Sequence, residues 1–314
     1  MLNEISPTVL RVGGEMASLS QTFADPEQLS AAIYPSNVEI MPLERGRFTA
    51  EFTAVDLPRV WLRRFRASLP RIAHVQHAPK RVFLALQAGQ THKPIFVDGS
   101  ELGVGELIQF AHGSSSDQRS LTGLAWANIS VDRADFHPIM SGLAGEDPMK
   151  DSRLNESRSR IFAPEVQALN ELRNLHATIM DLAKNSPEVL ARPETARDLD
   201  QAMLQAILDC LTHPDERQET AARVRHKVVL ERFRALLDAN LDEVLYLPEV
   251  CSALAVSHRT LSYCCQESLG VSPKKYFLLR RMYMVRRALR ESDPKATTVS
   301  EIATRYGFWE LGRF

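Results

Sequence analysis

The stretch Leu245–Phe277, LYLPEVCSALAVSHRTLSYCCQESLGVSPKKYF, decides how the C-terminal part of this chain is read. Pro248 suits the opening turn of a helix, where its missing N–H costs nothing. Leu247, Val250, Cys251 and Leu254 then recur at the spacing of one helix face. Ala-Val-Ser at 255–257 breaks the pattern, and Ser257 is a good N-cap because its hydroxyl accepts a free backbone N–H. The next helix carries Leu261, Cys264, Cys265 and Leu269 on its apolar positions and ends at Gly270, and Pro273 opens another. A short helix, a tight turn and a second helix form the arrangement that presents a helix to the major groove of DNA. The other face of the second helix carries His258, Arg259, Ser262, Tyr263 and Gln266. Arginine reads guanine bidentately and glutamine reads adenine. Any small helical bundle has such corners, so the flanking sequence has to supply the specificity.

It does so downstream. Pro273–Ser292, PKKYFLLRRMYMVRRALRES, reads as one long basic helix. Its arginines are too many for one buried face, which places some of them, Arg286 and Arg287 among them, along a phosphate backbone, and leaves others to pair with Glu291 and Asp293. Thr298–Phe314, TVSEIATRYGFWELGRF, then repeats the first helix and its turn, with Val299, Ile302, Ala303 and Tyr306 on one face and Gly307 as the break. Glu310–Phe314 reads as the start of a second recognition helix, on which Leu311 and Arg313 are the positions left to touch DNA. With that helix cut off, the expectation is recognition of one major-groove segment, not two about 34 Å apart. Charge agrees with this division: residues 1–222 hold 22 Lys+Arg against 29 Asp+Glu, and residues 223–314 hold 16 against 10. An acidic body with a basic tail points to nucleic acid at the C-terminal end.

VSHRTL, LGVSPKKY, the arginine-bearing helix and IATRYGFWELGRF together resemble the AraC/XylS family of bacterial transcription regulators, over about Leu236–Phe314. They match that family's first recognition helix, its G-x-S-P-x-x-Y junction, the connecting helix and the I-A-x-x-x-G-F of its second unit. The resemblance implies two helix-turn-helix units joined by one helix and bound to double-stranded promoter DNA. It also implies an N-terminal domain that takes a small-molecule effector or forms homodimers, and RNA polymerase as a partner if the protein activates. Cys265 stands where the family has a large aromatic residue, which implies looser packing of the first unit. Leu43–Phe65, LERGRFTAEFTAVDLPRVWLRRF, resembles the N-terminal domain of the ethanolamine-utilisation regulators, and no ligand is carried over from it.

The first part of the chain reads differently. From about Glu15 to Asp135 short runs alternate apolar and polar residues, as in Arg47–Leu57, Arg81–Gln87 and Leu124–Val131, with turn signals between them. Many short strands and frequent turns predict a β-sandwich or small, cupin-like barrel. Phe48, Phe52, Phe83, Phe96 and Trp126 are the candidate lining of an effector pocket in it, although small barrels are usually filled by their own side chains. Residues 141–160 are polar and read as a linker. After Ala163 two amphipathic helices follow, with Val166, Leu169, Leu172, Leu175 and Ile179 on the first and Leu199, Met203, Ala206, Ile207 and Cys210 on the second. Their stripes face either the body of the chain or a dimer seam. The predicted class is thus α+β: a β-rich effector domain over 1–140, a linker and helical, dimer-forming region over 141–222, and an incomplete DNA-binding domain over 223–314.

Catalysis finds no support in the sequence. His74 and His77 are three apart and point to opposite faces of a strand. His92 and His112 stand alone, and no carboxylate lies at ligand spacing beside them. GVGEL at Gly103 lacks the third glycine of a dinucleotide loop, and HGSSS at His112 is not a nucleophile elbow. No cofactor, metal or catalytic residue is expected. The four cysteines, Cys210, Cys251, Cys264 and Cys265, form no C-x-x-C pair and read as reduced, mostly buried thiols of a cytoplasmic protein. There is no apolar run of transmembrane length and no signal peptide, so no membrane partner is expected. Two other classes remain open: a small-molecule-binding β-barrel enzyme with a helical appendage, and an interaction protein inactive on DNA.

Overall fold

The computed structural model describes residues 18–89, 94–121, 125–144, 158–212, 214–217, 219–240, 245–293 and 295–309. They divide into two compact units: Met1–Ile95, Glu101–Ser116 and Ser120–Gln218 form the first, and Phe96–Ser100, Asp117–Arg119 and Glu219–Phe314 form the second.

The first unit is built on strands β1 (Ser18–Phe23), β2 (Asn37–Pro42), β3 (Ala50–Asp56), β4 (Val60–Ala67), β5 (Arg71–Gln76), β6 (Arg81–Gln87), β9 (Leu107–Gln109), β11 (Ala125–Asp132), β12 (Arg160–Ala163) and β13 (Asp215–Arg217). The short strands β7 (Ile95–Val97), β8 (Ser100–Leu102) and β10 (Ser115–Ser120) straddle the division. One sheet runs β1-β3-β4-β11-β6-β9-β12-β13 and the other β2-β5-β10-β7-β8. The three strands expected from alternation, near 47–57, 81–87 and 124–131, correspond to β3, β6 and β11. The helices are α1 (Pro26–Ala32), α2 (Arg133–Ala144), α3 (Val166–Asn185), α4 (Pro187–Leu190) and α5 (Pro193–Leu211). The ends of the expected linker are ordered, in α2 and β12, and its middle, 145–157, lies outside the described residues.

Register sorts the larger sheet into two faces, because successive side chains alternate. Val55, Leu62, Ile129 and Leu84 are cross-strand partners in a row and belong to one core cluster with Leu169, Leu172 and Ile179 of α3 and Met203, Ile207 and Cys210 of α5. The apolar stripes of the two amphipathic helices are therefore largely buried on this sheet within the chain, with Val166 left 74% exposed. The other row, Phe52, Phe65, Trp126 and Gln87, faces the smaller sheet. There Arg71 of β5 lies 4.7 Å from the Phe65 ring centre, and His77 stacks on Phe110 at 4.1 Å. A buried carboxylate fixes the β3–β4 turn to α5: Asp200 accepts from the Arg59 N–H at 2.9 Å, the Val60 N–H at 3.0 Å and the Arg59 Nε at 2.6 Å.

The second unit is helical: α6 (Ala221–Ala239), α7 (Leu247–Leu254), α8 (His258–Leu269), α9 (Pro273–Glu291) and α10 (Val299–Arg305). Leu230, Phe233, Leu237, Val250, Leu254, Leu261, Cys264, Leu269, Tyr276, Val285 and Ile302 form its buried core. Among the described residues no helix is long and apolar enough to cross a membrane.

Candidate nucleic-acid interface

Each helix of the second unit starts where local chemistry supplies a cap. Glu249 Oε2 accepts the Tyr246 N–H at 2.9 Å at the start of α7, whose first turn also holds Pro248. The chain leaves α7 through Ala255, held in the left-handed region at φ 53°. Ser257 then caps α8, its Oγ accepting the Thr260 N–H at 3.0 Å. Gly270 closes α8 at φ 68°, a conformation in which any side chain would be strained. Ser272 caps α9 through the Lys275 N–H at 3.2 Å, and Pro273 takes the first helical position. Thr298 and Glu301 cap α10 reciprocally: Thr298 Oγ1 accepts the Glu301 N–H at 3.2 Å and Glu301 Oε2 accepts the Thr298 N–H at 2.8 Å. The bonds that the Glu301 carboxylate accepts from Thr298 hold it below its usual range.

The α7–turn–α8 corner buries the apolar positions read from the sequence. Val250, Leu254, Leu261, Cys264, Cys265 and Leu269 are buried, while Leu247 and Cys251 are half-buried. Cys265 is fully buried, and burial, its largest cause, pushes its thiol up to about 12. Cys210 is likewise buried and raised to about 12, and all four cysteines are free thiols.

The opposite face of α8 is open. His258, Arg259 and Gln266 are exposed, Ser262 is half-buried, and Tyr263 keeps 58% of its surface in solvent. The Tyr263 ring stands edge-on to His226 of α6 at 5.1 Å, and His226 Nδ1 lies 2.6 Å from Glu267 Oε2. The structure thus brings all five expected recognition residues onto one helix. It does so on a helix anchored at both ends, which fixes the direction in which Arg259 and Gln266 leave it.

The basic helix divides in a way periodicity did not reveal. Arg280 is buried and pairs with Asp238 of α6. Arg281 donates through Nε to the Tyr306 carbonyl at 2.7 Å, its guanidinium 5.2 Å from the Phe277 ring and 5.4 Å from the Phe308 ring. These two arginines hold α6, α9 and α10 together. Arg287 and Arg290 are exposed, Arg286 is half-buried, and Lys274 and Lys275 are exposed at the start of the helix. Arg287 Nε lies 2.8 Å from Glu291 Oε1, as the sequence anticipated for some of these arginines. Leu311 and Arg313, with the rest of 310–314, lie outside the described residues.

Sequence reasoning missed Arg234 of α6. It is buried, pairs with Asp117 and donates to the Tyr276 hydroxyl at 3.2 and 3.3 Å. It also missed an apolar groove of about 650 Å3 walled by Leu247, Pro248, Phe277 and Leu278, with Arg281 at its side. Neither carries a local signal, since both arise from packing of helices far apart in sequence.

Among the expected effector-pocket residues, Phe48, Phe52, Phe83 and Trp126 are buried in the first unit. Phe96 belongs to the second, where the Arg119 guanidinium lies 3.8 Å over its ring. Four of the five therefore lie buried in the first unit. His77 is buried with Nε2 3.0 Å from Ser116 Oγ, His112 is exposed, and His92 lies outside the described residues. Among the described residues no group of three or more His, Cys, Asp or Glu is placed to hold a metal ion.

Comparison with known proteins agrees with this geometry. Residues 250–314 match a family described as a helix-turn-helix domain. The chain is 28% identical over 131 residues to the probable thc operon regulatory protein of Rhodococcus erythropolis, across 41% of this chain and 40% of that one. It is 30% identical over 84 residues to the XylDLEGF operon transcriptional activator of Pseudomonas putida, across 27% of this chain and 26% of that one. The matches thus span less than half the length of these relatives. The crystal structure of the AraC-like transcriptional activator CuxR aligns with 92% of this chain and all of its own, at a TM-score of 0.44 and 16% identity. Residues 250–314 are thus similar to a helix-turn-helix domain, in keeping with the α7–turn–α8 corner.

Proposed function

We propose that this chain is a DNA-binding transcription regulator that reads promoter DNA through α8 and answers to a small molecule held by its N-terminal unit. The observation that carries the reading is the exposed row His258, Arg259, Ser262, Tyr263 and Gln266 on a doubly capped helix that follows a tight turn. Arg259 and Gln266 offer the bidentate hydrogen bonds that distinguish guanine and adenine in the major groove. Arg286, Arg287 and Lys275 supply phosphate contacts, which set orientation and salt dependence. The relatives' names, an operon regulatory protein and a transcriptional activator, support the same role, with RNA polymerase as partner in the activating case. The two-sheet unit with its helices is the separate sensory part.

The test is selection of bound duplexes from random DNA by the purified chain, followed by fluorescence anisotropy on a selected duplex and a shuffled one. Selected DNA should bind at least about a thousandfold tighter at physiological salt, and both affinities should fall steeply with added salt. Equal affinity for the selected and shuffled duplexes would remove the reading.

A further inference from the structure

Tyr263 stands on the open face of α8 with 58% of its surface in solvent. A side chain so exposed samples several rotamers, and fixing one of them on binding opposes affinity. A neighbour that fixes the ring beforehand removes that penalty. α6, which precedes the helix-turn-helix corner, supplies one. Its His226 imidazole meets the Tyr263 ring edge-on at 5.1 Å, with an interplanar angle of 65°.

The imidazole is itself held. Its Nδ1 lies 2.6 Å from Oε2 of Glu267, one turn after Tyr263 on α8. An ionised carboxylate only accepts, so Nδ1 carries the proton and donates. Both side chains are only 20% exposed, where such a bond is stronger than in open solvent. The Glu267 stem is confined in turn by Gly99, at φ 83°, where an added Cβ would stand 3.1 Å from Glu267 Cγ and 3.1 Å from Ser268 Oγ. Asp98, the residue before it, pairs through Oδ2 with Nζ of Lys227 at 2.8 Å. Phe96–Ser100 belongs to the same compact unit as α6 and α8. Consecutive residues of α6, His226 and Lys227, are therefore fastened to Glu267 and to Asp98, and the imidazole has little freedom left beside Tyr263.

We propose that His226 is a specificity-positioning residue for DNA recognition, which acts through Tyr263 by holding its ring in an orientation that meets the bases. The tyrosine offers its apolar ring to a thymine methyl and its hydroxyl to a base edge. Glu267 acts one step further back, by fixing the imidazole. The inference rests on the reading of α8 as the recognition helix. It adds a residue outside the corner on which discrimination at one base position depends.

Affinities of the full chain for the selected duplex, and for duplexes carrying each other base at each position, test it. Tyr263→Ala first locates the position that Tyr263 reads. His226→Leu keeps apolar bulk and loses both the ring and the donor. It should relax base preference at that position about fivefold and leave the position read by Arg259 unchanged. Added to Tyr263→Ala, the same replacement should change nothing further. Melting followed by circular dichroism reports on the fold. Should His226→Leu unfold, His226→Gln, which keeps a donor for Glu267 and loses the ring, carries the same expectation. Three results each overturn the proposal: base preference left intact by Tyr263→Ala, a His226 effect spread equally over all positions, or one that persists in full without Tyr263. If the unaltered chain does not prefer the selected duplex, the regulator reading falls and this inference with it. A preference that survives His226→Leu undiminished sinks the positioning role alone.

Discussion

Arg234 of α6 and Tyr276 of α9 meet in the core of the second unit, where Nε and Nη2 of the arginine both donate to the tyrosine hydroxyl, at 3.3 and 3.2 Å. Tyr276 is the tyrosine of the SPKKY junction, 1% exposed, and its ring packs on Phe233 at 5.8 Å. The residue that marks the junction in sequence is thus the acceptor for a buried cation on a helix more than forty positions earlier. That cation is also the partner of Asp117. The network ties the first helix of the domain to the connecting helix and so sets the platform from which α8 projects.

Tyr276→Phe removes one acceptor of a buried charge and little volume. It should lower the stability of the helical unit by about 2 kcal/mol. Urea unfolding followed by circular dichroism measures this, and an unchanged midpoint would show that the hydroxyl contributes nothing.

Arg259→Ala should cost about 1–3 kcal/mol on the selected duplex and relax base preference at one position. Affinities for all four bases at each position give the answer. Uniform weakening on every duplex would make Arg259 a phosphate contact.

Replacing Arg286 and Arg287 together by Ala should weaken selected and shuffled DNA alike. The slope of log affinity against log salt should flatten by about 0.9 for each phosphate that is no longer neutralised. Arg287 can be drawn from Glu291, since an exposed pair of this kind contributes little to the fold. Arg280→Ala should act differently: it removes a buried side chain whose head pairs with the exposed Asp238, so lost packing should lower stability before the salt slope moves. A salt slope unmoved by the double replacement would sink the phosphate assignment.

His176 of α3 is 2% exposed, and burial, then the nearby Arg64 charge, lowers its pKa to about 4. The folded chain keeps the ring neutral, while the unfolded chain protonates it near its ordinary value of 6.5. Between those values the unfolded state holds more protons, so stability falls as pH falls from about 6.5 to about 4 and is fully present above that window. The decrease from this one group is on the order of 3 kcal/mol. Unfolding midpoints at about pH 7, 5.5 and 4.5, for the chain and for His176→Gln, would isolate it, and equal pH dependence of the two would refute the assignment.

The helix-turn-helix corner was legible because its determinants are local. Caps at Ser257, Ser272 and Thr298, the breaks at Ala255 and Gly270 and the apolar spacing of Val250, Leu254, Leu261 and Leu269 act within a few residues, so the chain order itself displays them. The recognition face followed, since it is what remains when the buried stripe is removed. Strands β3, β6 and β11 were likewise visible as alternation.

Tertiary structure decided what depends on distant partners. Arg280 and Arg287 are both arginines of one basic helix, yet one is a core ion-pair partner and the other lies in solvent, because only the packing of α6 against α9 places Asp238 beside the first. Leu169, Leu172 and Ile179 of α3 and Met203 and Ile207 of α5 pack on the helix-facing row of the large sheet, a contact that helical spacing alone does not specify. Arg71 is an unremarkable residue in SLPRIAHV, and becomes a buried cation without a carboxylate partner among the described residues only when the two sheets close and lay it on Phe65. Charge in a sequence carries no burial with it. The sheets supply the burial.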